Sequence, residues 1–174
     1  AGVRVYTLRR SGTGNFAIEE NSTIGDTLSS RWIGSAATDN QGNIAVSYNF
    51  VNDIKKPSIL YTGRLASEPV GTFRQEETIM AGSGVQKAFG WRWGDYTGMT
   101  VDPTDDCTFW TTGQYYTQAS ETASDFGWLT RIGKFKFKEC TAPPKGTING
   151  TVRNTGGVPL AGITVGLGRY SRVS

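Results

Sequence analysis

The sequence predicts an all-β chain built largely from a repeated group of strands. Composition is the first observation behind this. Of 174 residues, 23 are glycine, 11% are aromatic and only 19% are charged, a mixture suited to strands and turns rather than to helical bundles or disorder. The second is a period of two in the apolar residues, with no convincing helical period anywhere. The third is that the chain resembles itself at intervals of roughly 55–70 residues.

The alternation is clearest at Ile44, Val46, Tyr48 and Phe50, which fall on one side of a strand with Ala45, Ser47 and Asn49 on the other. Phe135 and Phe137 alternate with Lys134, Lys136 and Lys138, and Ile163, Val165 and Leu167 alternate with Thr164, Gly166 and Gly168. Turn clusters separate such runs at 11–15, 39–43 and 102–106. Each is rich in Gly, Asn or Asp, which tolerate positive φ or bond their own backbone.

The internal matches keep one order. Tyr6-Thr7 returns as Tyr61-Thr62, and the segment Phe16–Glu20 as Phe73–Glu77. Arg31-Trp32 returns as Arg92-Trp93, Thr38-Asp39 as Val101-Asp102, and Gly63-Arg64-Leu65 as Gly133-Lys134-Phe135. A repeat of this size made only of strands predicts four-stranded β-propeller blades. A single blade cannot bury both faces and needs a neighbour on each side. Residues 1–24 then form the second half of one blade, 31–80 the next and 92–138 the last, roughly two and a half blades in all. At least eight strands are expected, with no helix longer than two turns and adjacent groups packed face to face. Residues 1–140 are thus expected to form a partial β-propeller. The chain opens at Ala1 without an initiator Met or signal peptide, as expected of a processed or excised piece. Such a segment is expected to need covering by the remaining blades of a parent protein or by neighbouring copies.

Texture changes after Cys140. The Pro143-Pro144 pair makes 141–146 a short, stiff linker, and a second module begins at 147 and runs to 174.

Two resemblances follow from these residues. Residues 31–138, and more loosely 1–30, resemble the C-terminal blades of secreted bacterial propellers of the sialidase-like superfamily, a likeness carried mostly by the segment from Arg92 to Asp102 with Cys107-Thr108-Phe109-Trp110 after it. The segment Ile148–Val152, then Gly157 and Pro159–Val165, is similar to the opening of carboxypeptidase regulatory-like domains. That resemblance implies that 147–174 are the first strands of an immunoglobulin-like or transthyretin-like β-sandwich. Together the resemblances imply a secreted, extracellular or cell-surface location. The sialidase family's aspartate box, Ser-x-Asp-x-Gly-x-Thr-Trp, is not reproduced. Asp39-Asn40-Gln41-Gly42 has one residue too many before its glycine, and no glycine follows Asp102 in the required place. The three arginines, the tyrosine–glutamate pair and the acidic proton donor that such enzymes need cannot be assigned.

There is no histidine, which removes the commonest general base and metal ligand. The two cysteines, Cys107 and Cys140, are too few for an all-cysteine zinc site. A disulfide is the simpler use and suits an oxidising compartment; two unrelated buried thiols are the alternative. Asn21 and Asn149 each open an Asn-x-Ser/Thr pattern, which matters only where asparagine is glycosylated. No run of apolar residues is long enough for a membrane helix. The net charge of +3 is small, and the alternating lysines read as a solvated face rather than a nucleic-acid surface.

Glu19-Glu20 and Glu76-Glu77 have the form of paired catalytic carboxylates, but their repeated placement suits outer-strand surface residues with ordinary titration. Asp39 and Asp102 could ligate calcium through their oxygens, or simply bond their own turns; no other metal or cofactor is expected. Among the aromatic residues Trp91, Trp93, Tyr96, Trp110, Tyr115 and Tyr116, most are expected to pack between blades. Tyr115, Tyr116 and Trp128 are the candidate ligand-binding residues on an exposed loop. The function expected is a non-catalytic extracellular or cell-surface module that binds protein or glycan, or builds a surface assembly. The alternative is a fragment of a sialidase-type glycoside hydrolase whose catalytic residues lie mainly in blades outside this chain.

Overall fold

The computed structural model describes residues 1–87, 93, 95–144, 146, 149–167 and 170–173. Arg92 of the repeat, Trp91 of the aromatic set, and Thr147 and Ile148 of the second module's motif lie outside the described residues. The chain divides into two compact units, Ala1–Pro143 and Pro144–Ser174, and the division falls inside the proline-containing linker.

The first unit is antiparallel β-structure throughout. Strands β1 (Val3–Arg9) and β2 (Ala17–Ile24) form a hairpin. β3 (Ser29–Thr38), β4 (Ile44–Asn52), β5 (Lys56–Arg64) and β6 (Glu77–Gly82) form a four-stranded meander in that order. β7 (Gly98–Val101), β8 (Phe109–Tyr115) and β9 (Leu129–Phe135) form a three-stranded meander. A six-residue helix, α1 (Gln118–Ala123), links β8 to β9. Thr117 and Ser120 close it with reciprocal capping bonds, which satisfy amides that a short helix would otherwise leave unpaired. In the second unit, β10 (Thr164–Leu167) pairs with β11 (Tyr170–Val173), and an isolated bridge joins Arg153 to Pro159 around the Asn154 turn.

The middle sheet is covered on both faces. On one side, Ile44, Val46, Tyr48, Phe50 and Leu60 pack against Val5 and Ile24 of the hairpin. Each buried side chain of this size contributes about 1.5–3 kcal/mol. On the other side, the small polar residues of β4 meet the third sheet. The Ser47 and Thr111 hydroxyls bond at 2.6 Å, and Asn49 Nδ2 donates to the Gln114 carbonyl at 2.8 Å. Tyr61 stacks on Phe135 with ring centroids 3.7 Å apart. The sheets approach closely because glycines line the seam. A Cβ on Gly133 would lie 2.6 Å from Ile79 Cγ2, and one on Gly63 2.6 Å from Phe137 Cζ.

The expected turns form, with Gly12 and Gly42 at positive φ. Ile33 also has positive φ, at 49°, in the bulge where β3 shifts register against β4 between Trp32 and Ser35. That conformation costs a β-branched residue about 1–3 kcal/mol. The bulge turns Trp32 edge-on to Trp93, with centroids 5.8 Å apart.

Two sequence expectations need correction. Glu20 and Glu76 are not solvated surface carboxylates: Glu20 is 2% exposed and Glu76 half-buried, each bonded to an arginine. The match of Gly63-Arg64-Leu65 to Gly133-Lys134-Phe135 is displaced by one residue in space. Ile44 and Phe109 both follow the aspartate turns, yet Ile44 faces Arg64 and Phe109 faces Phe135. Arg64 therefore takes the place of Phe135. Strand pairing follows which face is buried, and a one-residue slip would reverse it.

Cys107 and Cys140 are joined, with Cα atoms 5.7 Å apart. The bridge pins the chain leaving β9 to the entry of β8. Asn40, at the tip of the β3–β4 turn, donates to the Asp106 and Thr141 carbonyls on either side of it.

Candidate functional site

Chemistry needs reachable polar groups, and the first unit holds two clusters of charged side chains. Arg31 is 6% exposed and grips Glu76 with two bonds, Nε to Oε1 at 2.6 Å and Nη2 to Oε2 at 2.8 Å. Tyr48 donates its hydroxyl to the same carboxylate, and Asp26 meets Arg31 at 2.9 Å. A tyrosine, a glutamate and an arginine in contact have the form of an activated nucleophile. The environment opposes that use. Tyr48 is 2% exposed, and burial, followed by its bond to Glu76, pushes its phenol further from ionisation. Burial alone would raise the Glu76 carboxyl, but the bonds from Arg31 and Tyr48 prevail and hold it low. A carboxylate fixed in its charged form is a poor general acid.

The second cluster has the same logic. Glu20 accepts from Arg64, from the Ser22 hydroxyl at 2.8 Å and from the Gly71 amide at 3.2 Å. Burial would raise its carboxyl; these bonds outweigh burial and lower it. Neither cluster was legible as a unit in the sequence, because partners lie 45 and 44 residues apart and meet only through sheet pairing.

The aspartate turns satisfy themselves. Asp39 accepts from the Gln41 and Asn43 amides and the Asn43 side chain. Asp102 accepts from the Thr104 amide and the Trp110 indole, and Asp105 from the Cys107 and Thr108 amides and the Thr108 hydroxyl. The Thr108 amide, the Cys107 amide and the Thr108 hydroxyl hold the Asp105 carboxyl down at about 2. Among the described residues no group of three or more acidic or cysteine ligands converges as a metal site would require.

Two of the three predicted ligand-binding aromatics, Tyr116 and Trp128, stand in one row of rings with Trp93 and Phe126. Trp93 meets Tyr116 at 5.3 Å, Tyr116 meets Trp128 at 6.4 Å, and Trp128 meets Phe126 at 5.7 Å. Tyr116 is fully buried and donates to the Asp125 carbonyl, so it supports the row without offering a face to a ligand. Tyr115 and Trp128 are partly exposed. Phe126, 57% exposed, ends the row at the surface, and sequence reading did not single it out. The indole nitrogens of Trp93 and Trp128 are buried without a hydrogen-bond partner, which is uncommon for buried donors.

A separate shallow groove of about 310 Å³ lies on the outer face of the third sheet, lined by Met99, Thr100, Trp110, Thr112 and Ile132. Ile132 is 68% exposed. Lys134 sits over the Trp110 ring at 5.3 Å, and Lys136 lies 3.9 Å from Asp105, so two of the three alternating lysines are engaged locally. No helix among the described residues is long and apolar enough to cross a membrane.

Compared with known proteins, the chain matches no family model, no curated protein and no solved structure.

Proposed function

We propose that this chain is part of a non-catalytic, secreted or cell-surface β-propeller module that binds protein or glycan or builds a surface assembly. Residues 147–174 would open a transthyretin-like sandwich appended to it. The observation that carries the reading is the stack of hairpin, four-stranded sheet and three-stranded sheet, packed face to face in one strand order. Apolar side chains stand exposed at both ends of the stack: Tyr6 at 51% and Leu8 at 57% on the hairpin, and Ile132 at 68% on the third sheet. Further blades would cover those faces. The fully engaged Glu20 and Glu76, one buried and one half-buried, support a structural role over a sialidase-type hydrolase for these residues. The disulfide suits an oxidising compartment.

The test pairs two assays on the purified chain. Fluorogenic sialosides and other glycosides should show no turnover; turnover abolished by Glu76→Gln would instead establish the hydrolase. A glycan array should report binding that Trp128→Ala reduces. Binding untouched by Trp128→Ala and Phe126→Ala would remove the aromatic row from the reading.

A further inference from the structure

Exposed strand edges invite pairing with another chain, and folded proteins blunt them with bulges or short strands. This chain does so almost everywhere. β1 and β2 shift register between Thr7 and Leu8, β3 between Trp32 and Ser35, and β6 shifts against β5 at two places. β7 has only four residues. β9 is different: it pairs with β8 over all seven residues without a shift. On its other side no strand pairs with it among the described residues. The equivalent strand of the middle sheet, β5, has β6 on that side. Residues 136–143, which leave β9, do not return to fill the place. Phe137 packs against Phe109, and Cys140 is bonded to Cys107 ahead of β8.

We propose that β9 pairs antiparallel with β9 of a second copy about a two-fold axis at Ile132. Ile132 is the midpoint of Leu129–Phe135, so this register pairs the strand over its full length. It sets Ile132 opposite Ile132, Leu129 opposite Phe135, Thr130 opposite Lys134 and Arg131 opposite Gly133. No like charges face each other. Centring on Arg131 or Lys134 would oppose two cations, which cross-strand energetics disfavour, and would shorten the overlap. Ile132 and Leu129 are exposed in the single copy, at 68% and 36%. Pairing covers part of both and satisfies a row of backbone amides and carbonyls, as in strand-addition complexes.

The test uses sedimentation and cross-linking on the 174-residue chain. Wild type should dimerise reversibly with concentration, and Ile132→Lys should weaken the dimer about tenfold or more with unchanged circular dichroism. Both native cysteines are bonded to each other, so Ile132→Cys introduces one free thiol. It should form a disulfide dimer on mild oxidation. Lys134→Cys should not, since its two copies would stand four residues apart along the paired strands, about 13 Å. Association through the exposed sheet faces alone would give no preference between the two cysteines. A monomer at all concentrations, a dimer indifferent to Ile132→Lys, or equal cross-linking of both cysteine variants overturns the proposal.

Discussion

The middle and third sheets share one order of strands but differ in what covers them. β4 is buried along seven consecutive residues, both its apolar side and its Ala45, Ser47, Asn49 side. β9, the third strand of the third sheet, has four exposed residues in a row from Leu129 to Ile132. The contrast shows that burial here is a property of a strand's place in the stack. Alternation alone does not decide it, because the polar side of β4 is as dry as the apolar side. Polar groups taken into such a seam must find partners, as Ser47 does with Thr111.

The largest test of this contrast is Arg64→Ala. It leaves the Glu20 carboxylate buried in the hairpin without its cation, and should cost about 3–5 kcal/mol in urea unfolding. The double variant Glu20→Leu/Arg64→Met should recover much of that loss, because no buried charge remains. A double variant as unstable as the single one would show that packing, not charge, dominates. Removing both cysteines should cost about 3–4 kcal/mol, since the bridge closes a long loop in the unfolded chain; the third sheet should lose hydrogen-exchange protection before the middle one.

A smaller effect separates the seam from the open face. Gly63→Val drives a side chain into the Ile44 carbonyl and Phe137 and should cost about 1–3 kcal/mol. Thr112→Val, on the exposed face of β8, should change stability by less than about 0.5 kcal/mol. Similar costs at the two sites would mean that the outer face is covered in solution.

Acid titration gives the smallest and most graded test. The folded Glu20 and Glu76 carboxyls lie below their ordinary values. Their contribution is complete above the unfolded glutamate pKa of about 4.3 and is lost as pH falls through it toward the folded values. The urea midpoint should therefore fall between about pH 5 and pH 3, and Glu76→Gln should flatten part of that fall. A midpoint unchanged across this window would contradict the assignment.

Much of the fold was legible because its signals are local. The alternation at 44–50 marks β4, the Gly- and Asp-rich clusters mark the turns, and the order of internal matches marks the strand order. The cysteine pair was legible by elimination in a chain without histidine. The aromatic row is half legible: Tyr116 and Trp128 belong to it, but Tyr116 is interior and Phe126 holds the surface. Aromatic identity carries no information about which end of a row meets water.

By itself, the sequence determined where most strands and turns fall, because backbone propensity and period depend on neighbours a few positions away; the alternation over 134–138 runs past the strand, which ends at Phe135. Tertiary structure decided the rest. It made Glu20 and Glu76 into ion-paired anchors, slid the third sheet's register by one residue, and left one side of β9 unpaired among the described residues. Each of these depends on which faces meet across tens of residues, and facing is settled only when whole sheets pack.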